Sequence, residues 1–146
     1  MKTILAPVDF SAATPAVVGA AGEAARAFGA RLYLLHVAAP EPDFVGYSAG
    51  PQEVRDAIAD SLHEERDELT ALAEKARAAG ADVAQLMVQG PTIEAVVQKA
   101  DDLDADLIVM GSHGRGAVLR LLLGSVSEGV LRRAGRPVLI VPAARD

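Results

Sequence analysis

The stretch Leu107-Ile108-Val109-Met110-Gly111-Ser112-His113-Gly114, followed after nine residues by Gly124-Ser125, runs from an apolar segment into glycine and then into a helix. Four consecutive apolar side chains read as a strand buried on both faces. A strand that ends in glycine and is followed by a helix starting at Ser125 brings bare backbone N–H groups together at a helix N-terminus. Such a place holds phosphate.

Working outward, strands and helices alternate along the whole chain. Thr3 to Val8 reads as a first strand; Thr14 and Pro15 read as N-cap and first position of a helix reaching Phe28, with Gly29 as its stop. Arg31 to Val37 is a second strand, and 38–50, with Pro40, Pro42, Gly46 and Gly50, is one long loop. Pro51 opens a long helix ending at Gly80, with apolar or alanine positions Val54, Ala57, Ile58, Leu62, Leu69, Leu72 and Ala76. Val83 to Val88 is a third strand. Gly90-Pro91-Thr92 turns into a helix with Ile93, Val96, Val97 and Ala100 on one face, and Asp106 to Met110 is the fourth strand. A helix from Ser125 to Ala134, stopped by Gly135, precedes a fifth strand, Pro137 to Val141. Five strands in βαβ units predict a single doubly wound α/β domain over 1–146, its parallel sheet covered by helices on both faces.

Composition narrows the function. With 146 residues, 51% of them hydrophobic, the chain suits one domain with a real core and is short for two. The absence of cysteine removes disulfides, thiol redox chemistry and Cys-ligated zinc. The opening Met1-Lys2-Thr3-Ile4-Leu5-Ala6-Pro7-Val8-Asp9 is too short in apolar residues for a signal peptide, and no run spans a membrane, so a cytoplasmic protein is expected. Net charge is −6, yet 111–146 holds 6 bases against 2 acids. An acidic whole argues against general nucleic-acid binding, whereas local positive charge around a phosphate-shaped loop suits one small polyanion. Arg132 and Arg133 have a second explanation, since cations in a last turn complement a helix C-terminus.

The candidate site residues each carry a structural reading as well. Gly111 and Gly114 permit positive φ and close approach of a ligand, or an ordinary glycine turn. Ser125 with Glu128 three residues on forms a capping-box pattern, and the same N–H groups serve phosphate, with direct contact expected from Ser125 and Ser127. Asp9 at the end of the first strand can cap the next helix or take a ribose hydroxyl or a divalent cation such as magnesium. His36 reads as a hydrogen-bonded strand-end histidine and His63 as solvated. His113 lies in the loop, and no second histidine or carboxylate stands at metal-ligand spacing.

Rival nucleotide folds lack their residues. A Walker loop needs a lysine after glycine, and Lys2, Lys75 and Lys99 all lie elsewhere. A dinucleotide site needs a glycine fingerprint after strand one, where this chain has Asp9-Phe10-Ser11-Ala12-Ala13. A phosphoacceptor receiver domain would end strand three in aspartate and strand five in lysine; here stand Val88-Gln89 and Val141-Pro142.

The spacing G-x2-G-x9-G-[ST] over Gly111, Gly114, Gly124 and Ser125 resembles the signature of the ATP-binding branch of the universal stress protein family. The likeness extends through Ile4-Leu5-Ala6-Pro7-Val8-Asp9, Leu35-His36-Val37, Ala105 to Gly114 and Pro137 to Pro142. It implies strand order 3-2-1-4-5, reversing between strands one and four. Ligands in such sheets bind beyond the strand C-termini at the reversal. Pro7-Val8-Asp9 and Met110-Gly111-Ser112-His113-Gly114 would then be opposite walls of one crevice. The resemblance further implies that Val37 packs on adenine, that Asp9 lies near ribose or metal, and that Gly111 and Gly114 border ribose and α-phosphate. Gly124, Ser125 and Val126 would hold the phosphate chain.

The expected function is therefore binding of ATP, ADP or AMP, with magnesium carried on the nucleotide, by a regulator of the stress response that is not an enzyme. Two alternatives stay open: a slow hydrolase or phosphotransferase in which Asp9 holds magnesium, and a structural dimer with a vestigial site. Strand five would lie at a sheet edge, and Val138-Leu139-Ile140-Val141 has no charge to blunt it, so a homodimer paired through 138–141 is expected. The sequence names no downstream protein partner.

Overall fold

Side chains of the central strands alternate between two helical layers, and this alternation sets the architecture. The computed structural model describes residues 1–40, 51–113 and 123–142. Its elements are β1 (Thr3–Pro7), α1 (Thr14–Phe28), β2 (Arg31–Ala38), α2 (Gln52–Ala78), β3 (Asp82–Gln89), α3 (Thr92–Asp102), β4 (Leu107–Gly111), α4 (Ser125–Arg133) and β5 (Val138–Val141). All four strand pairs are parallel, in the order β3-β2-β1-β4-β5. The expected doubly wound sheet is thus observed, with element ends shifted by one or two residues. The predicted loop 38–50 lies outside the described residues over 41–50, as do Gly114 and the segment 115–122.

Ile4, Ala6 and Val8 from the first strand segment and Leu107 and Val109 from β4 face one way, against Val17, Val18 and Ala21 of α1 and Leu69 and Ala73 of α2. Leu5, Leu35, Ile108 and Met110 face the other, against Val96 and Ala100 of α3 and Val130 of α4. The period of two that separates these sets is the pleat of the strand. Close packing of α3 on α4 depends on Gly129, where a β-carbon would collide with the Ile93 side chain.

Helix termini follow local chemistry, with one displacement from expectation. Gly29, at φ 61°, ends α1, and the N–H of Ala30 donates to the Ala25 carbonyl at 2.8 Å, the left-handed stop glycine supplies. At the other end Ala13, not Thr14, is the N-cap, and Thr14 begins the helix. The apolar stripe expected along α2 is only partly used: Leu69, Ala73 and Ala76 are buried, whereas Val54 and Ala57 are exposed.

Two polar knots tie the sheet at the end away from the glycines. Asp106 Oδ2 accepts the backbone N–H groups of Lys2 and Thr3 at 2.8 and 3.0 Å, while the Asp106 N–H donates to the Thr3 carbonyl at 2.9 Å. The Arg136 guanidinium donates to the carbonyls of Ala134, Ala100 and Ala105 and to Asp101 Oδ1, joining the C-terminal ends of α3 and α4. The N–H of Lys2, and after it that of Thr3, holds the Asp106 carboxyl below the ordinary 3.8. A carboxyl lowered on folding stabilises the folded state above its unfolded value and loses that contribution as pH falls through the lowered one. Asp106→Asn should therefore be less stable than wild type near neutrality, with the difference shrinking below about pH 4; urea melts over a pH series check this.

Candidate functional site

The site is built where β1 and β4 end side by side. Ile4 pairs with Leu107 and Leu5 with Ile108. Continued, this register sets Pro7 level with Met110 and Asp9 level with Ser112. The two predicted walls, a hundred residues apart in sequence, are brought together.

One wall is the end of β1. Val8 is buried and its N–H donates to the Leu35 carbonyl at 2.8 Å; Asp9 is exposed. Asp9 Oδ1 accepts the Ser11 N–H at 3.0 Å and lies 3.5 Å from Thr14 Oγ1. The carboxylate thus organises the turn into α1 without capping it as an N-cap residue. Phe10 adopts φ 58°, the left-handed region that a bulky side chain enters only when its surroundings hold it there.

The other wall joins β4, β5 and α4. The Ser112 N–H donates to the Val141 carbonyl at 2.9 Å, and the Gly124 N–H donates to the Ser112 carbonyl at 2.7 Å. The chain therefore leaves at Ser112 and returns at Gly124 through a closed neck. Gly124, at φ −63° and ψ 160°, is the N-cap of α4, with no side-chain cap hydrogen bond. This corrects the Ser125–Glu128 capping box: Ser125 is already the first helical residue, and the first intrahelical bond runs from the Glu128 N–H to the Gly124 carbonyl at 2.9 Å. The N–H groups of Ser125, Val126 and Ser127 are left without helical acceptors. Their positive end of the helix dipole opens at the mouth of the crevice.

Three expectations for this wall change. Gly111 is not at positive φ; its lack of a side chain serves close approach, since a β-carbon would lie 3.3 Å from the His113 carbonyl oxygen and 3.5 Å from Ala13 Cβ and Val17 Cγ2. Ser127 is only 4% exposed, and its hydroxyl donates to the Gly111 carbonyl at 2.6 Å. Its proton is spent, so Ser127 braces the wall rather than offering a hydroxyl to a ligand. The basic charge of 111–146 also does not converge on the glycines in the described residues. Arg132 pairs with Glu128 at 2.8 Å, Arg133 with Glu94 at 3.2 Å, and Arg136 with the knot described above, all toward the far end of α4.

The apolar part of the site lies on the α3/α4 side. Val37, Met110 and Val126 belong to one cluster there, so the expected adenine-packing residue and the phosphate-binding turn share a face of the sheet. His113 is half-buried, with Nδ1 3.1 Å from Ser112 Oγ. His63 is exposed beside Asp67. No group of three His, Asp or Glu side chains that could hold a metal occurs among the described residues. No helix among them is long and apolar enough to cross a membrane.

A parallel sheet of this order, with glycine and a helix N-terminus at its reversal point, defines a doubly wound α/β fold. Residues 1–142 match the model of the universal stress protein family, and the chain belongs to that family. A universal stress protein of Thermus aquaticus is 37% identical over 140 residues, covering 96% of this chain and 98% of the relative. Among solved structures, a universal stress protein in complex with cAMP superposes with a TM-score of 0.75 at 30% identity, covering 98% of each chain. The universal stress protein from Archaeoglobus fulgidus in complex with dAMP gives 0.66 at 26%, covering 96% of this chain and 97% of that one.

The brace from Ser127 to Gly111 has a measurable weight. Ser127→Ala should cost about 1 kcal/mol of stability, the ordinary net worth of a hydrogen bond, read as a lower urea midpoint with unchanged slope.

Proposed function

We propose that the protein is a cytoplasmic adenine-nucleotide-binding regulator of the stress response, taking ATP, ADP or AMP in the crevice between the ends of β1 and β4. The observation that carries this reading is the set of N–H groups of Ser125, Val126 and Ser127, which have no acceptor among the described residues and lie beside Gly124 at the sheet's reversal point. Phosphate sits on Gly124, Ser125 and Val126, Gly111 admits the ribose and α-phosphate, and adenine packs on Val37 with Pro7 and Met110 nearby. Asp9 takes a ribose hydroxyl. The complexes of two similar proteins with cAMP and dAMP support an adenine ligand. Magnesium enters on the phosphate chain, coordinated by phosphate oxygens.

A helix dipole gives an anion at most about 2 kcal/mol, whereas micromolar affinity needs about 8 kcal/mol. Adenine packing and several backbone hydrogen bonds supply the difference. Gly124→Val keeps an allowed backbone, since φ is −63°, but crowds the phosphate. Calorimetry should show ATP binding lost while the fold persists; unchanged affinity would refute the assignment.

Turnover is a separate property. Neither arginine in α4 reaches toward its N-terminus, and among the described residues no base is seen hydrogen-bonded in a position to orient a nucleophile. Steady-state hydrolysis should fall far below the common enzyme median of about 10 per second. Rapid phosphate release abolished by Asp9→Asn, with binding intact, would make the protein a hydrolase.

The second copy is proposed at β5. This strand forms one edge of the sheet, and Leu139 is 43% exposed on it. Antiparallel pairing of two such edges about a two-fold axis satisfies their open N–H and C=O groups, with Pro137 and Pro142 bounding the ladder. Leu139→Pro should yield monomers or aggregates in sedimentation, and a monomeric wild type at micromolar concentration would overturn the pairing.

A further inference from the structure

Resting on the nucleotide reading above, we infer that His36 is the positioning residue for Asp9, and that Glu65 of α2 holds His36 in place through one shared proton. His36 is 7% exposed, and along β2 it points opposite to Val37. Val37 faces the α3/α4 layer, so His36 reaches toward α1 and α2.

The imidazole grips both neighbours of Asp9. His36 Nδ1 lies 2.9 Å from the Val8 carbonyl oxygen. A carbonyl only accepts, so Nδ1 carries a hydrogen and donates it. The ring also packs on Phe10, with centroids 4.4 Å apart and planes tilted by 33°. Phe10 is the residue held at φ 58°. Asp9 thus sits between the Val8 carbonyl and Phe10, whose strained backbone and ring are both held by one side chain, and its direction into the crevice is set there.

The far side of the ring supplies the tether. Nε2 has no hydrogen-bond partner among the described residues, yet Glu65 Oε2 is 3.5 Å away. With Nδ1 protonated, a neutral ring aims a lone pair at a carboxylate, and two acceptors repel. One proton between them turns the contact into a charge-assisted bond. Among the described residues the neighbouring elements offer no substitute. Opposite His36 in register, β3 presents Met87; α1 has no ionisable side chain before Glu23. In the turn, Asp9 Oδ1 already accepts the Ser11 N–H; on α2 the nearby acids Glu64, Asp67 and Glu68 are all exposed. Adding the proton therefore clamps α2 to the end of β1 and fixes Asp9; removing it loosens both.

Calorimetry with ATP on wild type, Glu65→Gln, His36→Phe, Asp9→Ala and the His36→Phe/Asp9→Ala pair tests this. Wild-type affinity should weaken by about tenfold from about pH 5 to about pH 8. Glu65→Gln, whose amide donates to a neutral ring, should bind with an affinity that no longer follows pH. His36→Phe should lose about tenfold alone and nothing further once Asp9 is alanine, because it acts through that carboxylate. Coincident pH profiles for wild type and Glu65→Gln, or full additivity in the cycle, would refute the inference. If wild type binds no ATP at any pH, the nucleotide reading fails by itself. The positioning claim is then read in the ligand-free protein from the amide resonance of Ser11, which bonds Asp9: it should follow pH in wild type and not in Glu65→Gln, and a resonance indifferent to both overturns it.

Discussion

The pairing of β1 with β4 is the contact on which the rest of the molecule depends. It is the one place where the strand order turns back on itself, so that successive helices must change faces. Only Ile4 with Leu107 and Leu5 with Ile108 define its register. Asp106 reinforces that short ladder at its entrance by holding the N–H groups of Lys2 and Thr3. A slip of one residue would reverse every side chain of β1 between the two cores. Ile4 would leave the α1/α2 layer and Leu5 the α3/α4 layer. The same slip would move Asp9 out of level with Ser112, so core packing and site geometry are enforced by one register.

From that ladder the crevice follows with little further expense. Two parallel strands that part at their C-terminal ends leave a gap, and what fills it depends on the residues just beyond. Here they are small or bare: Gly111 lets β4 pass against Ala13 and Val17 of the α1 end, and the Ser112 to Gly124 bond closes the neck under the helix. Ser127 then ties the first turn of α4 back to the Gly111 carbonyl. The first turn of α4 is consequently held by three hydrogen bonds, two within the backbone and one from a buried hydroxyl. Among the described residues, Arg132, Arg133 and Arg136 are occupied at the opposite end.

Much of this was legible in the sequence because the physics involved is local. Continuous apolar runs such as Leu107 to Met110 announce strands buried on both faces, and Gly29 and Gly135 mark helix ends through their left-handed φ. The candidate walls could be named for the same reason: Gly111 ends β4, and Asp9 lies two residues past the end of β1. What escaped was set by competition between adjacent groups. Ser125 looked like a cap until Gly124 took that position, and Ser127 looked like a ligand residue until burial gave its proton to Gly111. For Arg132 and Arg133, sequence proximity to glycine is not spatial proximity: a nine-residue helix separates Ser125 from Arg133.

The link from His36 to Asp9 had a different obstacle, since it joins three segments, β2, the turn after β1, and α2, whose approach only the folded sheet creates. Its single sequence trace was a histidine at a strand end, a pattern with an adequate local explanation in the bond to Val8. The remainder, Phe10 at positive φ and Glu65 opposite Nε2, carries no periodic or spacing signal. Strain of this kind persists only where the surroundings hold the residue in place, and here a ring on one side and a carbonyl on the other bracket a single exposed carboxylate. A core built for packing alone would have no use for a buried imidazole between an acceptor and an acid, where a leucine would fill the space without an unbonded nitrogen. The imidazole instead connects the long, largely exposed helix α2 to the end of β1 beside Asp9.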